Sequence, residues 1–186
     1  MSPRPALGRR RAPSGTELHR SWLALVDTEG PFLTLPALLR VWPQANFPGL
    51  DSRRLADLKV AKASFEAAHD AHATGDLPLH AFRGERDAWV EHVLRDTFGW
   101  GDHLVLDEAV HTTVASPTGA VTATSTAAFR RGDDIAALVW VVDPVDNLRS
   151  IGTDGWATDT IDRFELMLRA SHTPVGVVTD GRWWGL

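Results

Sequence analysis

The chain has 186 residues, 44% of them hydrophobic and 23% charged, with a net charge of −5, eight tryptophans, no tyrosine and no cysteine. That length suits one domain with a sizeable core plus an added segment, and the composition excludes a disordered or fibrous chain. The missing cysteine excludes a disulfide framework, thiol chemistry and a cysteine zinc site. No apolar run nears the roughly 20 residues that cross a bilayer, and no signal peptide is visible, so a cytoplasmic location without a membrane partner is expected.

Charge is divided unevenly. Arg4, Arg9, Arg10 and Arg11 fall before position 13 with no acid among them. The rest is therefore more acidic than the whole, a poor free-standing ligand for DNA, which favours clustered Lys and Arg. Residues 1–15 read as a disordered basic arm, broken by Pro3, Pro5, Gly8 and Pro13. Arg9, Arg10 and Arg11 are its candidate DNA contacts; a solvated terminus is the plainer reading.

A first helix is expected over 16–27, capped by Thr16, with Leu18, Trp22, Leu25 and Val26 on its apolar face. A short one follows over 35–42, with Pro36 near its start. A longer helix over 51–72 takes Asp51 or Ser52 as its cap. His69 and His72 sit three apart on it, a spacing that suits zinc as well as a polar helix edge. The next helix, 85–97, carries Trp89, Val90, Val93 and Leu94 on one face and stops at Gly99.

Short strands are then expected at 104–106, 109–115 and 121–129, the last rich in Thr as a half-exposed strand can be. A tight turn at 130–133 leads into the run Ile135-Ala-Ala-Leu-Val-Trp-Val-Val142, which reads as a strand buried on both faces. A helix over 159–170 shows Ile161, Phe164, Met167, Leu168 and Ser171 on one face. Asp180-Gly181, between two short apolar runs, predicts a two-residue type I′ hairpin. The simplest division is a helical segment over 16–80 joined to an α/β domain over 84–186.

From Glu85 onward the order of elements resembles a known family. A helix ends in Phe98-Gly99-Trp100, strands meander to a buried strand ending at Asp143, and a helix with Arg163-Phe164-Glu165 follows. The chain closes on Pro174-Val-Gly-Val-Val-Thr-Asp-Gly-Arg-Trp-Trp184. This resembles the nuclease-type N-terminal region of adenine-specific DNA methyltransferases, as in type IIG restriction–modification enzymes and phage-defence methylases. The resemblance implies a mixed α/β sheet of the restriction-endonuclease-like type. It also implies DNA and a downstream methyltransferase domain as partners, with S-adenosylmethionine bound by that domain and no cofactor in this chain. The Gly-rich cofactor loop and the Asn-Pro-Pro-aromatic motif of the methylase do not occur, so the chain is expected to be an amino-terminal piece or the product of a truncated gene.

A nuclease of that fold needs two carboxylates for a divalent ion and a lysine beside the attacking water. Carried onto this sequence, Asp143 takes the second acid's place and Val145 stands where the lysine belongs. Strand 121–129 has no carboxylate, and the only lysines are Lys59 and Lys62. Glu85 and Glu91 are relic candidates on the preceding helix. A catalytically inactive nuclease-like domain, structural or DNA-contacting, is the expected function. The alternative is a stand-alone protein-interaction module docking through an exposed Trp and the acidic surface. Asp143 and Asp146 around Pro144 also suit a plain acidic turn, and Gly152-Thr-Asp-Gly-Trp156 lacks the lysine and spacing of a phosphate loop.

Overall fold

A computed structural model describes residues 14–25, 36 and 49–186. The chain forms two compact units, residues 1–49 and 50–186. In the first unit, helix α1 spans Gly15–Leu23. Its cap is Ser14 rather than Thr16: the Ser14 hydroxyl accepts from the Glu17 amide, and the Glu17 carboxylate accepts from the Ser14 amide. This reciprocal box satisfies two amides that the first turn leaves open. Of the helix expected over 35–42 only residue 36 is described, and the arginines at 9–11 lie outside the described residues.

The second unit begins with α2 (Ser52–Ala73), capped by the Asp51 carboxylate on the Arg54 amide at 2.8 Å. Helix α3 (Leu79–His92) starts a turn and a half earlier than the sequence suggests, behind Pro78, and passes into a π turn at Val93–Thr97. The Phe98 amide donates to the Val93 carbonyl and the Trp100 amide to the Leu94 carbonyl, with Gly99 at φ 72°. That closing pattern satisfies last-turn carbonyls and needs the left-handed residue glycine supplies. Helices α2 and α3 pack through Phe65, Phe82 and Trp89, the Phe65 and Trp89 rings stacked at 5.9 Å. Helix α2 lies in the same compact unit as the sheet.

Seven strands follow: β1 (Leu104–Val105), β2 (Thr113–Ala115), β3 (Thr122–Thr124), β4 (Ala127–Arg131), β5 (Asp134–Val141), β6 (Gly176–Thr179) and β7 (Trp184–Gly185). Helix α4 (Thr160–Ser171) lies between β5 and β6 and is capped by Asp159. The main sheet runs β1-β4-β5-β6-β7, and β2 and β3 pair separately. Strand β5 is antiparallel to β4 and parallel to β6, so the fold is mixed α/β with a mixed sheet. Its centre is apolar on both faces: Val139 packs towards α2 and α3, and Leu138 towards α4 through Phe164 and Met167. Gly176 lets β6 pass beneath α4, because a Cβ there would meet the Phe164 ring and the Leu138 carbonyl oxygen, the latter at 2.7 Å.

Two expectations are corrected. The strand over 121–129 is divided: residues 122–124 belong to the small sheet and 127–131 to the main one. Ser125 and Thr126 make the switch. The Ser125 hydroxyl accepts from the Thr112 amide and the Thr126 hydroxyl from the Val141 amide, both taking ladder donors. The closing hairpin is not a two-residue type I′ turn either. Residues 180–183 connect β6 and β7, with only Gly181 at positive φ. The buried Asp180 carboxylate accepts from the amides of Arg182, Trp183 and Val145, and the Asp side chain does the work of a second left-handed residue. Among the described residues no helix is long and apolar enough to cross a membrane.

Candidate functional site

Asp143 stands just past the C-terminal end of β5, facing α3. Arg83 and Arg86 are three apart on that helix and so share a face. Arg83 donates from Nε to Asp143 Oδ1 at 2.8 Å and from Nη2 to Oδ2 at 2.5 Å. Arg86 is buried and donates from Nη1 to the Val142 carbonyl at 2.7 Å and to Asp143 Oδ1 at 3.2 Å, and from Nε to Asp87 at 2.9 Å. The Arg83 hydrogen bond holds the Asp143 carboxyl below the usual carboxylate range, with burial opposing and the Arg86 charge assisting. Asp143 is therefore an ion-paired anchor between α3 and the sheet.

A second arginine–aspartate pair lies beyond it. Arg163, buried on α4, grips both oxygens of Asp154 at 2.5 and 2.9 Å and donates to the Thr158 carbonyl. Its guanidinium lies 5.3 Å from the centroid of the Trp156 ring. These bonds fasten the crossover between β5 and α4, and the Arg163 hydrogen bond holds Asp154 below the carboxylate range. Both pairs line one open cavity of about 490 Å³, with Trp140 and Trp156, Thr122 and Thr124 of the small sheet, and Ser150 and Thr160. Trp156 is 1% exposed and its Nε1 has no hydrogen-bond partner. A buried unpaired donor costs about 1–3 kcal/mol.

The other sequence candidates stand elsewhere. Glu85 accepts from Ser64 Oγ of α2 at 3.3 Å, and Glu91 pairs with Arg95 at 2.5 Å; neither lines the cavity. His72 stacks on Phe82 at 5.0 Å and its Nδ1 meets the Leu77 carbonyl at 2.9 Å, so it serves packing. Among the described residues no group of three or more His, Asp or Glu is placed to hold a metal ion. A magnesium site needs oxygen ligands free to coordinate. Asp143 offers one carboxylate already bound to two guanidiniums, and the donor set does not fit the ion. The sequence gives no site role to Arg83, Arg86 or Arg163, the last named only within the Arg163-Phe164-Glu165 helix. The available signal was an arginine three residues from another on a helix and an arginine inside an apolar helical face.

Comparison with protein-family models, curated proteins and solved structures finds no match to the chain.

Proposed function

We propose that the unit over residues 50–186, whose part from 84 onward resembles a restriction-endonuclease-like domain, has exchanged metal-dependent cleavage for an ion-paired scaffold. Its parent is a DNA adenine methyltransferase of a restriction–modification or phage-defence system. The order of elements supports the scaffold: a helix, three consecutive antiparallel partners (β1, β4, β5), a crossover helix and a parallel strand. The observation that carries the loss of cleavage is the two-armed grip of Arg83 on Asp143, the one acid at the position such a site would use. The role left to the domain is structural or DNA-contacting. Methyl transfer from S-adenosylmethionine belongs to a downstream domain.

Plasmid nicking in Mg²⁺ or Mn²⁺ tests the loss of cleavage, and no nicking above background is expected. Nicking that disappears in Asp143→Ala overturns it. Titration of duplex DNA over a range of salt tests contact, with affinity falling as salt rises. The parent assignment fails if the gene and the sequence following it encode no methylase.

A further inference from the structure

We propose that the cavity bounded by α3, the end of β5, strand β3 and the crossover binds a phosphate monoester of nucleotide size. The inference goes beyond the scaffold reading: it rests on donor chemistry and stands if the chain is unrelated to methyltransferases.

Three observations converge. The cavity gathers three guanidiniums, Arg83, Arg86 and Arg163, beside the Asp143 and Asp154 carboxylates, with Asp87 paired behind Arg86. Guanidinium forks match phosphate oxygens in geometry. Arg83 is the exchangeable member: its side chain is 49% exposed, against 7% for Arg86. If Arg83 turns to a ligand, Asp143 keeps Arg86, and Arg86 keeps the Val142 carbonyl. The third is size. About 490 Å³ exceeds what a bare phosphate fills and falls among small-ligand pockets. Trp140, half-buried in the lining, adds apolar surface for a base or sugar. The monoester has two sources, a free nucleotide or the 5′ end of a DNA strand.

Binding is measured by tryptophan fluorescence and calorimetry on the full chain. The probes are a deoxynucleoside 5′-monophosphate against its nucleoside, and a short oligodeoxynucleotide with a 5′-phosphate against the same strand with a 5′-hydroxyl. Saturable binding of a phosphorylated probe, and none of its dephosphorylated counterpart, is expected; the tighter of the two names the source. Arg83→Gln weakens that binding at least about tenfold, the effect of one charge-assisted hydrogen bond. Ser150→Asp puts a negative charge into the lining without removing an ion pair, and weakens binding with the melting temperature kept. Equal binding of phosphorylated and dephosphorylated probes overturns the inference, as do folded R83Q and S150D proteins that bind like the parent sequence. Loss of duplex binding with monophosphate binding intact sinks only the DNA-contacting role above.

Discussion

Arg83 closes on both carboxylate oxygens of Asp143 from sixty residues upstream, and Arg86 holds the same Asp143 oxygen and the neighbouring Val142 carbonyl. Helix α3 and the end of β5 are thereby pinned by charge at one point and by the Phe65–Trp89 cluster at another. Asp143→Asn takes the charged acceptor from Arg83 and leaves the buried Arg86 with Asp87 as its remaining carboxylate. The Asp143 side chain is about half exposed, which discounts the loss to about 1 kcal/mol. Urea unfolding measures it. Arg83→Gln moves stability less, since Arg86 retains the pair.

Acid should weaken the fold through the same groups. Asp143 and Asp154 both have carboxyls held low by their arginines. A carboxyl lower in the folded than in the unfolded chain contributes stability above the unfolded value, near 4, and loses it as pH falls through the folded value. The urea midpoint is expected to be flat from about pH 7 to 5 on this account and to drop below about pH 4. The Asp143→Asn and Asp154→Asn double variant has a lower midpoint at neutral pH and a shallower acid slope.

Two glycines are fixed by contact. Gly181, at φ 92°, would place a Cβ 2.7 Å from the Phe65 ring, and its carbonyl accepts from both Trp89 and Trp184 indoles at 2.9 and 3.2 Å. Gly176 lies equally close to Leu138. Gly176→Ala and Gly181→Ala each lower stability by about 1–3 kcal/mol through overpacking, read as a drop in melting temperature. Gly84→Ala has nothing within 4 Å, lies inside α3, and is expected to stabilise by about 0.5–1 kcal/mol.

Thr126→Val removes the hydroxyl that accepts from the Val141 amide at 2.9 Å. The amide is left without its partner, and stability falls by about 1–2 kcal/mol. Hydrogen exchange should report it locally, with the Val141 amide accelerated more than that of Val139.

Regular apolar spacing was legible in the sequence. It placed the core of β5, the buried face of α4 and the cap of α2, because each depends on neighbours within a few residues. The first turns of α3 escape the apolar pattern because His80, Arg83, Gly84 and Glu85 surround Leu79 and Phe82 there. The division at Ser125–Thr126 was hidden because a hydroxyl in a strand and a hydroxyl replacing a ladder carbonyl are the same letter. The Asp180 turn departs from the type I′ pattern for a related reason: its carboxylate, not left-handed backbone, satisfies the amides. The candidate site was half legible. Asp143 stood out as an acid ending a buried strand, but its partners lie on another element at a separation no local pattern encodes.

The pivot at Ser125–Thr126 has a consequence for how this molecule can change over generations. Strand β3 supplies one wall of the cavity yet, paired with β2, sits outside the ladder of the main sheet. Residues there can be exchanged, or the connection between them lengthened, without shifting the register of β4 on β5. The frame and the selectivity of the hollow can therefore evolve apart, with new preferences written on the small hairpin while the arginines across from it stay in place.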